Sequence, residues 1–214
     1  MQGCGSFRPE VKKLIQSEAQ TMEIYTHNYN DLRVATGDVL CTQDGDEDSA
    51  FGRIWRLMGL LVPGEIDHTI VYLGPGGRCV ESGGRGVITF EMPGDVWEAQ
   101  VLYSQRLLAD SLVGAAYPLE GQGLAPEEEK RIRLGVAEYC LHQVECAKPY
   151  NSNFFDPQID GAFYCSQLVY KAYLAQGIDL NRDAGVSAGL LSKVVFPQEI
   201  WNGCVHRRVA QVFA

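Results

Sequence analysis

What this sequence lacks already narrows its class. No run approaches the roughly 18–20 consecutive apolar residues that a membrane span needs. Met1 to Ser6 shows no basic-then-apolar leader. Gln2-Gly3-Cys4 has the look of a lipoprotein signal's end without the apolar stretch before it. H-E-x-x-H, a Walker loop and C-x-x-C are all missing. Metalloprotease, nucleotide hydrolase and zinc-finger readings therefore have no anchor. Positive charge is scarce: 18 Lys and Arg stand against 27 Asp and Glu, a formal net charge of −9. A nucleic-acid partner needs a basic stripe. Lys12-Lys13, Lys130-Arg131 with Arg133, and Arg207-Arg208 are too short for one and read as solvated faces or element ends.

What is there fits an ordinary globule. The chain has 214 residues, 46% of them hydrophobic. That is enough for one domain with its own core, spanning residues 1–214. The seven cysteines are odd in number and form no disulfide framework by spacing. A reducing, cytoplasmic setting is the expectation.

Residues 9–25 read as a helix, and residues 1–35 as a helical N-terminal extension. Asn28 to Asp31 breaks that helix, and Gly37-Asp38-Val39-Leu40 opens a strand. An acidic turn over 44–48 precedes a helix over 49–62, with Phe51, Ile54, Trp55, Met58 and Leu61 on one face. The clearest local signal is a β-hairpin: 68–73 and 78–82 flank Gly74-Pro-Gly-Gly77. Strands are expected at 87–91, 99–105 and 204–213, and a loop at 117–123. Helices are expected at 126–143, at 166–176 closed by Gly177, and at 188–195, with an irregular loop over 148–161. The sum is an α+β fold with an antiparallel sheet packed against helices.

Cys165 stands where that loop becomes a helix. Unpaired N–H groups and the dipole of a helix start favour a thiolate. By position alone, packing beside Leu168, Val169, Ala172 and Tyr173 is the stronger reading. His68 on its strand is also more often structural. If the hairpin turn centres between Gly74 and Pro75, however, Glu81 lies directly opposite His68 on the same face. A carboxylate there fixes the imidazole tautomer and leaves the other nitrogen as base. A slip of one residue would put Glu81 on the other face. Cys79 shares that face and reads as packing. His27, His142 and His206 have no acid at telling spacing.

The ordered set Gly37-Asp38-Val39-Leu40, Asp67-His68-Thr-Ile-Val-Tyr-Leu-Gly74, Val80-Glu81-Ser82, Gly86-Val87, Pro149-Tyr150-Asn151, Phe154-Phe155 and Tyr164-Cys165-Ser166-Gln-Leu-Val169 resembles the YaeF/YiiX-type permuted amidases of the NlpC-like papain superfamily. The similarity covers roughly residues 36–177. In that group the His-bearing strand precedes the Cys-bearing helix. The resemblance implies a circularly permuted papain-like fold, with Cys165 as nucleophile, His68 as base and Glu81 orienting the histidine. Tyr150, Tyr164 and Asp67 are the residues placed for substrate contact. Asn151 and Gln167 stand where the family often carries acids, a departure bearing on substrate preference. The implied activity is cleavage of amide bonds in small peptides or amino-acid amides, cell-wall peptides among them, through a thioester. No metal or organic cofactor is implied. A lipid acyltransferase or phospholipase of the lecithin:retinol acyltransferase type, and a non-catalytic ligand-binding relative, are the competing classes.

Overall fold

The computed structural model describes residues 23–44, 64–154, 158–181 and 194–209. The expected helices over 49–62 and 9–25 lie outside these residues, apart from 23–25, which are not helical. Most of the helix expected at 188–195 also lies outside; Val194 and Val195 are described and non-helical.

Eight strands and four helices are described. In chain order they are β1 (Thr26–Tyr29), β2 (Leu32–Ala35), β3 (Val39–Asp44), β4 (His68–Tyr72), β5 (Arg78–Gly83), β6 (Gly86–Glu91), α1 (Ala99–Arg106), β7 (Asp110–Tyr117), α2 (Pro126–Glu145), α3 (Cys165–Leu174), α4 (Pro197–Gly203) and β8 (Val205–Arg208). β1 and β2 form a separate two-stranded sheet. The other six form one antiparallel sheet in the order β6-β5-β4-β3-β7-β8. The α+β class with an antiparallel sheet is therefore as expected.

The strands inside the β8 edge bury residues on both faces, and side-chain alternation sorts these residues between the faces. Val39, Cys41, Val71, Val80 and Ala116 pack with Ile132, Val136 and Cys140 of α2 and with Leu168, Val169, Ala172 and Tyr173 of α3. Leu40, Ile70, Tyr72, Cys79 and Ala115 pack instead with Tyr29, Leu32 and Val34 of the small sheet and Leu102 of α1. Each such large apolar side chain contributes about 1.5–3 kcal/mol when fully buried. α3 is also fastened by polar contacts. Tyr173 Oη donates to the Gly37 carbonyl (2.6 Å), and Ser166 Oγ to the Val195 carbonyl (2.7 Å).

Three expectations are corrected. Residues 99–105 are helical rather than extended: Leu102 and Arg106, four apart, are the buried pair, while Val101 faces solvent. Residues 26–35 are a β-hairpin, so the N-terminal extension is not helical to residue 35. Asn30 and Asp31 take φ values of 48° and 66°, the turn conformation that asparagine and aspartate tolerate. The hairpin register also differs. Val71 pairs with Val80 and Tyr72 with Cys79, which places the turn one residue later than expected. Continued along the strands, that ladder sets Ile70, not His68, opposite Glu81. The shift is two residues, so Glu81 keeps the face it was expected to have.

Candidate active site

The segment before α3 sets the position of the thiol. Tyr164 is the N-cap, in extended conformation, and Cys165 is the first helical residue. Gln167 Oε1 accepts the Tyr164 N–H (3.2 Å) and an Asn151 Nδ2 hydrogen (3.1 Å), and Gln167 Nε2 donates to the Ile159 carbonyl (3.2 Å). A short parallel bridge between Tyr150 and Phe163 holds the two ends of the loop together. Ser82 Oγ of β5 donates to the Phe163 carbonyl (2.6 Å), tying the loop to the sheet.

The thiol is 4% exposed and sits against the backbone at the start of β4, 3.9 Å from the Asp67 carbonyl oxygen. Burial alone would raise its pKa. The charge and hydrogen-bonding reach of His68, with the backbone N–H groups of Thr69 and Ser166, outweigh burial and lower it. His68, fully buried, shows the reciprocal effect. Burial disfavours the imidazolium, but Cys165 and then Glu81 push its pKa up to about 10. The arrangement favours a thiolate–imidazolium pair.

His68 Nε2 and Glu81 Oε2 are 2.8 Å apart. Burial opposes ionisation of Glu81, yet Arg106 and His68 hold its pKa down at about 2. An ionised carboxylate only accepts, so Nε2 donates to it. Nδ1 is buried with no conventional hydrogen-bond partner among the described residues, which leaves it for the thiol. The structure thus brings together Cys165, His68 and Glu81, over 97 residues of sequence separation between sulfur and imidazole.

Behind Glu81 lies a group that the sequence reading missed. Arg106 Nε and Nη2 both donate to Glu81 Oε2 (3.0 and 2.6 Å). Its Nη1 and Nη2 reach Asp110 Oδ1 and Oδ2 (2.6 and 2.9 Å). Thr42 Oγ1 donates to Asp110 Oδ2 (2.6 Å). All of these side chains are buried. Only the four-residue spacing of Arg106 and Asp110 was visible beforehand, and it identifies neither as buried.

Of the residues expected to touch substrate, Tyr150 is half-buried and close enough to Cys165 to feel its charge. Asp67 presents its carbonyl to the sulfur. Tyr164 is placed differently: it is 2% exposed, packs with Val194 and Phe196, and its hydroxyl oxygen accepts the Val195 N–H (3.3 Å). Its side chain anchors the helix start. Asn151 and Gln167, expected to bear on substrate preference, are buried and spent on each other and on backbone groups. Cys79 contacts Tyr29 (3.9 Å), and burial pushes its thiol up to about 12, which suits packing. His27 lies against the Gly94 carbonyl, His142 near Glu145, and His206 against the Cys204 carbonyl, all exposed contacts apart from this cluster. Cys41, Cys79, Cys140, Cys165 and Cys204 are free thiols, whereas Cys146 is disulfide-bonded.

Among the described residues no three His, Cys, Asp or Glu side chains are grouped to hold a metal ion, and no helix is long and apolar enough to cross a membrane. Compared with models of known families, with characterised proteins and with solved structures, the chain matches none.

Proposed function

We propose that this protein is a cysteine hydrolase of the permuted papain-like type, cleaving amide bonds in small peptides or amino-acid amides. The observation carrying the proposal is the buried relay in which one imidazole meets the helix-start thiol of Cys165 and the carboxylate of Glu81. The His-bearing strand precedes the Cys-bearing helix, as the resemblance implies.

The Cys165 thiolate attacks the amide carbonyl and forms a C–S bond. The carbonyl oxygen becomes an oxyanion, to which the Cys165 N–H at the start of α3 donates. His68, protonated, gives its Nδ1 proton to the leaving amine as the C–N bond breaks. The thioester then meets water. His68 takes a proton from that water, hydroxide adds to the carbonyl, and the C–S bond breaks to release the acid and restore the thiolate. Glu81 holds the ring throughout by accepting from Nε2.

Acid quenching of the protein with a panel of peptide amides, followed by intact-mass measurement, tests this. The expected result is an acyl adduct on Cys165 with amine release, both abolished by Cys165→Ala. Absence of adduct and amine with every amide, alongside adducts from phospholipid vesicles, would favour the acyltransferase class instead.

A further inference from the structure

Glu81 Oε2 accepts three hydrogen bonds, one from His68 Nε2 and two from Arg106, while Oε1 has no partner among the described residues. The groups facing Glu81 are His68 from β4, Arg106 from α1 and Asp110 from β7. Cys79 lies on its own strand, and Cys165 lies beyond His68. The guanidinium lies 4.5 Å from the Phe90 ring centroid and 5.6 Å from that of Trp97, so its charge is held out of water. Trp97 Nε1 donates to the Asp110 carbonyl (2.9 Å), and Thr42 holds the Asp110 carboxylate. Glu81, Asp110 and Arg106 together carry one net negative charge, which an imidazolium at His68 balances.

We infer that Arg106 is a positioning residue for this site: by gripping Glu81 and Asp110 with one guanidinium, it keps the imidazole proton on Nε2 and leaves Nδ1 for Cys165. The inference rests on the hydrolase reading above and deepens it. Without the guanidinium, two buried carboxylates share one dry space and cannot both stay ionised. Glu81 then takes up a proton and becomes a donor. Nε2 must accept that hydrogen, the ring proton moves to Nδ1, and the nitrogen facing the sulfur can no longer take the thiol proton. Arg106 touches neither the sulfur nor the place of a substrate, so its effect passes wholly through Glu81.

The test compares the pH dependence of Cys165 alkylation by iodoacetamide in the wild type, Arg106→Met and Arg106→Lys. His68 ring nitrogens are read by ¹⁵N NMR in a Cys165→Ala background. In Arg106→Met the alkylation rate at pH 6 is expected to fall about tenfold or more, one pKa unit of lost thiolate stabilisation. The neutral ring is expected to change from Nε2–H to Nδ1–H. Arg106→Lys keeps the charge and is expected to hold the wild-type tautomer and most of the rate. If the methionine variant does not fold, Arg106→Gln takes its place with the same expectation. A folded neutral variant with the wild-type profile and tautomer overturns the inference, as does a lysine variant that behaves like the neutral one. A depressed wild-type thiol with unaffected Arg106 variants refutes this inference alone. A wild-type thiol titrating like a free one refutes the hydrolase reading itself.

Discussion

His68 and Glu81 are joined diagonally across the β4–β5 ladder, not directly opposite, and still meet at 2.8 Å. Strand alternation makes this work. A register displaced by two residues preserves the face, and diagonal neighbours on one face are within reach of long side chains. Glutamate spans the diagonal, and Arg106 pins it from the other side.

That geometry makes the length and charge of residue 81 separable. Glu81→Gln keeps an oxygen for His68 and Arg106 but removes the charge, and its NH₂ falls where Oε1 has no partner. A buried unpartnered donor costs about 1–3 kcal/mol. Amide hydrolysis is expected to fall about 10²-fold or more in kcat, since the negative charge that stabilises the His68 imidazolium is gone. Steady-state kinetics read the first effect and urea unfolding at pH 7 the stability cost.

Acid should weaken the fold partly through the same carboxyl. Glu81 has a folded pKa of about 2, below its ordinary value of 4.5. The folded state therefore binds fewer protons there than the unfolded chain. Its stabilising contribution is present above pH 4.5 and is lost as pH falls from 4.5 through about 2. Urea midpoints between pH 5 and pH 2 should decline less steeply in Glu81→Gln than in the wild type.

Gln167 offers a test of the loop's role. Its side-chain oxygen accepts two hydrogens and its nitrogen donates to the Ile159 carbonyl. Gln167→Glu keeps the accepting oxygen but loses the donor and places a buried negative charge near the helix start. Destabilisation of about 1–3 kcal/mol is expected. The Cys165 thiol should also titrate higher, because like charge disfavours a thiolate. Urea unfolding and alkylation against pH report the two effects separately.

Tyr173→Phe is the contrasting substitution. It removes the hydrogen bond from Oη to the Gly37 carbonyl, far along α3 from the sulfur. A loss of about 1 kcal/mol is expected. The pH profile of Cys165 alkylation should not move.

The parts of the fold legible beforehand are those with local chemistry. Glycines at 74, 76 and 77, all with positive φ, mark the hairpin turn, and at Gly77 an added Cβ would clash with the Met92 carbonyl oxygen. Pro126 and three glutamates mark the start of α2. β7 was hidden by its small residues: Gly114, Ala115 and Ala116 have little strand propensity. Gly114 is small because β8 and Trp201 approach it, a constraint set by tertiary packing. Within the site, Cys165, His68 and Glu81 were readable from helix start, strand and family likeness. Arg106 was not, because nothing local distinguishes an arginine buried against two carboxylates from one that faces water.

The most direct test of the account is the rate of Cys165 alkylation between pH 4 and 10 in the wild type and in His68→Ala. Rapid reaction persisting at pH 6 in the wild type, with His68→Ala shifted to a single limb near the free-thiol pKa of about 8.5, is the predicted result. Identical limbs near about 8.5 in both proteins would contradict it.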